Sequence, residues 1–305
     1  MPSRQWAAAA LVLSSFMGDA DRALGESPAY DPARMQWSEL DYLAARLAVT
    51  ATSEVRIRIE SASQAAIHWL QPSPGQSVMP AGDKTIRVRL GSQIMGKKSD
   101  LDLWLDPVSG AAFQRTQLET GKKVRHHRHR SLRFGELGVF NSTYRATDET
   151  VDRPHKEWKL SETFEPFPEE LGSKAVVTEP SALLYLLAVA DLERQGDRTT
   201  AYVFSKDQVM QVHLIAQEKV EIKVDYIEES SAGRRVVKGR HETMRIRLDG
   251  RPMGTGGNDK DFEFLGLRGD VDVYLDSARR IPLQISGNIK FVGKGHVRLQ
   301  RVRLK

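Results

Sequence analysis

Apolar and polar residues alternate along much of the chain. In DLDLWLD, Asp100 to Asp106, the leucines at 101, 103 and 105 face one way, and Asp100, Asp102, Trp104 and Asp106 face the other. A period of two with one apolar face predicts a half-buried antiparallel strand. The same alternation runs through VRIRI (Val55 to Ile59), VEIKV (Val220 to Val224) and Phe262 to Leu267, with the Thr, Val and Ile that strands favour. Turn-forming residues separate these runs at Pro107-Val108-Ser109-Gly110, at Ser230 to Gly233 and in the glycine cluster GTGGND.

Three of the segments occur twice, in the same order. TIRVRLGSQIMG (Thr85 to Gly96) is echoed by TMRIRLDGRPMG (Thr243 to Gly254), DLDLWLD by DVDVYLD (Asp270 to Asp276), and VRHHRHR (Val124 to Arg130) by VRLQRVR (Val297 to Arg303). The offset grows from 158 to 170 to 173 residues, which places an insertion around Thr255 to Arg268. Ordered matches on alternating residues predict a structural duplication.

Between the copies, Asn141 to Gly172 reads as a strand followed by an irregular crossing segment. TEPSALLYLLAVADLERQG then predicts a helix, with Thr178 or Glu179 as cap, Pro180 in its first turn and Gly196 as its stop. Ala182 to Leu192 is apolar on nearly every side, so this helix is expected to be buried. Ser38 to Ala48 carries helical spacing at Leu40, Leu43, Ala44 and Leu47, but a first strand leading into VRIRI fits equally. The expected fold is mainly β: two pseudo-repeated antiparallel sheets forming a large open barrel or paired half-barrels, with a central buried helix. The expected divisions are a signal peptide over 1–25, a first β-repeat and connecting segment over 26–178, the central helix over 179–196 and a second β-repeat over 197–305. The span 26–305 is read as one structural unit.

The N-terminal reading comes from MPSRQWAAAALVLSSFMG, one arginine followed by an apolar run too short to span a bilayer. Gly18 and Ala20 fit one cleavage site, Ala23 and Gly25 another. The mature chain is expected to have no transmembrane segment and to reside in the periplasm or cell envelope. The absence of cysteine removes disulfides, thiolate metal sites and cysteine nucleophiles. A net charge of +5, from 45 basic and 40 acidic residues, permits attraction to an anionic envelope surface without demanding it.

Two stretches, PSALLYLLAVADLERQGD (Pro180 to Asp197) and VDVYLDSARRIPLQISG (Val271 to Gly287), resemble an uncharacterised family of exported bacterial proteins, domain of unknown function 3108. The resemblance implies an exported β-rich fold, carries structural rather than catalytic motifs, and supports the signal peptide.

No catalytic signature stands out. GSQIMGKK (Gly91 to Lys98) misses the phosphate-binding loop by one residue, Lys98 standing where a hydroxyl is needed, and it leads into a strand instead of a helix. The triplets Asp100, Asp102, Asp106 and Asp270, Asp272, Asp276 have calcium-like spacing. On strands, however, carboxylates two apart point in parallel, and cross-strand pairing with arginine is expected. The basic residues are interleaved with acids, which makes nucleic acid an unlikely partner. In KKVRHHRHRSLRF (Lys122 to Phe134) the arginines recur in the second copy and are expected to face the aspartate strand. His126, His127 and His129 are replaced there by Leu299, Gln300 and Val302. His127 and His129 are the weak metal candidates of the chain, since a strand puts them on one face.

No cofactor is expected. The leading functional expectation is a non-catalytic envelope protein binding a small or lipidic ligand in a β-sheet concavity lined by Leu183, Leu184, Leu187 and Val189. Those residues serve equally as core. The rival readings are a structural or interaction component with a filled core, and an unrecognised hydrolase.

Overall fold

Main-chain groups taken out of water need partners, and for strands with one apolar face neighbouring strands supply them. In the computed structural model, which describes residues 30–46, 49–70, 80, 82–172, 175–254, 262–289 and 293–305, that pairing produces one sixteen-stranded sheet. The first half holds β1 (Trp37–Arg46), β2 (Val49–Ser61), the short helix α1 (Ala62–Ala66), β3 (Lys84–Ile94), β4 (Lys97–Leu105), β5 (Ala112–Thr120), β6 (Arg128–Phe134), β7 (Gly138–Arg145) and β8 (Lys159–Pro166). Next come β9 (Val177–Thr178) and the helix α2 (Leu183–Val189). The second half holds β10 (Arg198–Ser205), β11 (Gln208–Ser230), β12 (Gly233–Pro252), β13 (Glu263–Phe264), β14 (Leu267–Leu275), β15 (Pro282–Ile289) and β16 (Gly293–Leu304).

β1 to β8 form an antiparallel meander. Beyond β1 the order continues β16, β15, β14, β12, β11, β10, β9. The expectation of two sheets is thereby corrected to one, because β1 pairs with β16 from Trp37 to Ala44 and the halves share that ladder. Ile227 to Glu229 of β11 also run parallel to Arg301 to Arg303 of β16, so β11, β12, β14, β15 and β16 close into a ring. The segment from Ser38 is strand, not helix: lying between β2 and β16, it buries Leu40 and Tyr42 on one side and overrides the helical spacing.

Two of the three matched blocks keep a common register. Arg87 lies opposite Trp104 and Arg89 opposite Asp102, as Arg245 lies opposite Tyr274 and Arg247 opposite Asp272. Asp102 Oδ1 accepts from the Nε of both Arg87 and Arg89 at 2.8 Å, and Asp272 from Arg247 Nε at 3.2 Å, the expected cross-strand pairs. The third block does not keep it: Val124–His126 is a 3-10 turn, and β6 starts only at Arg128. Gln114 of β5 faces Arg133, whereas its counterpart Gln284 of β15 faces Arg298, so the sequence match at Val297 is out of step with the ladder.

Asp106 and Asp276 do not stand on strands. Each turns its Oδ1 onto the next turn, accepting from Val108 and Ser109 (2.9 and 2.7 Å) or from Ala278 and Arg279 (2.9 Å each). Both turns reach a left-handed residue at the same place, Gly110 at φ +75° and Arg280 at φ +56°. At Gly110 a Cβ would come within 3.0 Å of Leu186 on α2.

α2 is shorter than the sequence suggests. It ends at Ala190, whose backbone is extended, because Asp197 Oδ2 takes the N–H groups of Glu193 and Arg194 and folds that stretch into a turn. All seven helix residues are buried. Tyr185 donates its hydroxyl to Pro107 O at 2.6 Å, and Arg280 Nη1 donates to Ala190 O at 2.6 Å. The two aspartate turns thus hold the helix from both repeats.

Gly110→Ala meets left-handed strain plus the Leu186 contact, and Arg280→Ala loses the bond to the helix end. Each is expected to lower stability by ~1–3 kcal/mol in chemical denaturation. Unchanged midpoints would show that these turns do not hold α2.

Candidate functional site

The inward side chains of β2 to β6 form rows set by the ladder registers. One row runs Ile57, Val88, Leu103, Arg115, Leu132; the next runs Val55, Leu90, Leu101, Gln117, Arg130; the last runs Ser53, Ser92, Ser99, Glu119, Arg128. The wall therefore grades from apolar to polar across β2 to β4 and turns charged on β5 and β6. Above it lies a cavity of about 540 Å³. Its opposite side is Phe204 to Lys206, the end of β10 and its turn into β11, and Glu263 to Gly266, β13 and its turn into β14. Pro180 and Ser181, just before α2, also line it.

Arg115 and Glu179 form the buried part of the lining, with Nε to Oε2 at 3.4 Å. Glu179 Oε1 also accepts the N–H of Ser181 at 2.9 Å, so it caps the segment that leads into α2. Burial pushes the Arg115 guanidinium below its ordinary value and the Glu179 carboxyl above its own, with the mutual attraction opposing both shifts. Nearer the rim, Arg128 Nε donates to Glu119 at 2.9 Å. Arg130 donates to Asn141 at 3.0 Å and also pairs with Asp207 across the mouth. Glu263 holds Arg268 at 2.8 Å and Lys206 at 3.5 Å. These carboxylates are all engaged by cations, so the arrangement offers hydrogen bonds and charge to a guest more readily than a free base to a reaction.

The arginines of the basic tract do not face the aspartate strand, which corrects that expectation. Arg128 and Arg130 share the inward face with Leu132, whereas Asp102 pairs with Arg87 and Arg89 on the other face of β4. Leu183, Leu184, Leu187 and Val189 are at most 2% exposed and belong to the core; the cavity ends before them, at Pro180 and Ser181. Gly91 to Lys98 is the β3–β4 hairpin, turning through Met95 (φ 49°) and Gly96 (φ 75°), with Lys98 opposite Gln93. Arg115, Glu119 and Gln117 were not singled out from sequence. A strand read over AFQRTQLET would have put Arg115, Gln117 and Glu119 on one face, which was the available signal.

His127 Nε2 lies 2.7 Å from Gly121 O, outside the strand, and its ring meets Trp158 edge-on. His129 stacks on His155 instead, ring centroids 4.0 Å apart and planes 25° apart. Stacking presents ring faces, while imidazole lone pairs lie in the ring plane. Among the described residues no group of three or more His, Asp or Glu could hold a metal ion. Burial, and secondarily His155, holds His129 well below its ordinary value, at about 4.

No family model and no curated protein matches the chain. Among solved structures, it is similar to a β-barrel-like protein of domain of unknown function 1849 from Brucella abortus. The TM-score is 0.42 and the identity 8%, over 91% of this chain and 98% of that one. A likeness at that level carries no argument about family or activity. Among the described residues no helix is long and apolar enough to cross a membrane.

Removing one member of the buried pair strands the other. Arg115→Met is expected to destabilise the protein by ~3–5 kcal/mol, and Arg115→Met with Glu179→Gln to recover most of that in the same denaturation assay. No recovery would show the two do not act as a pair. Because His129 titrates lower when folded, the unfolded chain gains the proton first as pH falls. Stability is therefore expected to be full above about pH 6.5 and to decline by ~1–2 kcal/mol toward pH 4, after allowing for solvent screening. His129→Gln should flatten that slope; an unaltered slope would assign it elsewhere.

Proposed function

We propose that this chain is an exported, non-catalytic protein of the bacterial cell envelope that binds a small amphipathic molecule in the mouth cavity. The cavity carries the reading. At about 540 Å³ it falls within the size range of small-ligand sites. Leu90, Leu101, Leu132, Phe204 and Phe264 supply apolar surface, and Arg128, Arg130 and the Ser53, Ser92, Ser99 row supply polar contacts. A lipidic guest fits this with its apolar part against the leucines and its head at the rim. Export, and removal of a signal peptide ending at Ala20 or Gly25, rest on the N-terminal sequence pattern. Kinship with domain of unknown function 3108 rests on the two quoted stretches. The repeated aspartate turns and the common β3–β4 and β12–β14 registers support an origin by duplication.

A second reading, a structural envelope component, draws on the complete burial of α2, which leaves the deep interior filled.

Mature protein purified from its host, extracted with organic solvent and examined by mass spectrometry, is expected to yield a bound molecule. Leu132→Trp, which fills the cavity, should reduce its occupancy at least ~10-fold, equivalent to ~1.4 kcal/mol. An empty protein, or equal loading of Leu132→Trp, would rule out the cavity as the binding site and leave the structural reading.

A further inference from the structure

The sheet has two ends of different character. β9 is two buried residues, whereas β8 is eight residues long and almost wholly exposed. Among the described residues no strand pairs with the outer edge of β8. The direction of its free main-chain groups follows from the hydrogen bonds at the strand's end. Phe167 N–H donates to Leu137 O at 2.9 Å, in the same register as Val139 opposite Glu165 and Asn141 opposite Thr163. Hydrogen-bonded pairs alternate along an antiparallel ladder, so the odd residues of β8 bond to β7 and the even ones point outward. Pro166, which has no N–H to donate, falls on the outward side, as an edge proline should. The free edge therefore presents the N–H and C=O groups of Leu160, Glu162 and Phe164.

We propose that this edge is a self-association site, on which β8 of a second copy adds antiparallel about a two-fold axis through Glu162. In that register Leu160 meets Phe164 of the other copy and Lys159 meets its Glu165, each twice. Roughly six main-chain hydrogen bonds form, and the two Lys–Glu pairs take the closer, non-hydrogen-bonded positions. A shift of two residues either way loses the Lys–Glu pairing: toward Pro166 it keeps about six hydrogen bonds, since Pro166 accepts but cannot donate, and the other way it also runs past Lys159, where the strand begins, and loses bonds. Charge thus selects one register, and the two-fold closes the assembly at two copies instead of a fibre. The apolar contribution is present on the surface: Leu160 and Phe164 are each 45% exposed, and Phe164 leans on Phe140 at 4.7 Å between ring centroids. Glu162 opposes its own copy and weakens the contact; each side chain is drawn aside by the Ser142 hydroxyl, 2.8 Å from it. The contact is small, so the dimer is weak and concentration-dependent.

Sedimentation equilibrium from low to several hundred micromolar protein is expected to show a reversible dimer. Lys159→Glu should weaken it ~10-fold, and Lys159→Glu with Glu165→Lys should restore it to within ~3-fold of the original. Glu162→Gln should tighten it by roughly 3-fold by removing the like-charge contact. Glu162→Pro, whose lost N–H points away from β7, should abolish it with circular dichroism unchanged. A monomer at every concentration, failure of the charge swap to restore association, or a dimer that survives Glu162→Pro would each overturn the proposal. Should Glu162→Pro not fold, the charge swap decides alone.

Discussion

The whole arrangement hangs on how a wholly buried helix, with Tyr185 as its one polar side chain, is held against the β-sheet. A buried helix leaves end groups that nothing within it can satisfy. Here Arg280 reaches Ala190 O, Glu179 takes the N–H of Ser181, and Tyr185 finds Pro107 O. Two of those partners come from turns that the aspartates Asp106 and Asp276 close in the same way. The third ties the helix to the cavity, since Glu179 is also the partner of Arg115 in the wall. The left-handed backbone at Arg280 is a local strain of ~1–2 kcal/mol, offset by the charge-assisted bond it places at the helix end.

The candidate site is a consequence of the same packing. α2 and the surrounding leucines fill one part of the concave face, and the wall turns polar where that filling stops. The arginines there are not a surplus of charge. Arg115, Arg128 and Arg130 are each met by a carboxylate, so the charges of the lining are largely paired. The proposal of a guest with both apolar and hydrogen-bonding parts, and not a simple anion, draws on that pairing.

Much of the fold was legible in the sequence because a strand's period of two is a local property. DLDLWLD and DVDVYLD declared their alternation and asked for arginine partners, but those partners are Arg87, Arg89 and Arg247 on the neighbouring strands, not the arginines of the basic tract. The basic tract was harder. Its match to VRLQRVR suggested equivalent strands, but the ladder starts later, at Arg128, and the valine and first histidine sit in a 3-10 turn. The His129–His155 stack joins β6 to the connection between β7 and β8, which no spacing within the tract could reveal. Helix length was overread for a similar reason: Asp197 captures backbone groups that an apolar pattern would assign to the helix.

By itself the sequence determined strand content, the alternation of faces, a demand for arginine opposite the aspartates without its source, and the presence of a buried apolar helix. All of these depend on residues a few positions apart or on repetition. Only the tertiary structure decided that the halves share one sheet through β1 and β16, that β11 closes a ring on β16, and that Arg115 meets Glu179. Those pairings join residues far apart in the chain. Main-chain hydrogen bonds are nearly indifferent to which strand supplies them, so the choice among partners rests on the packing of the whole and leaves no local mark in the sequence.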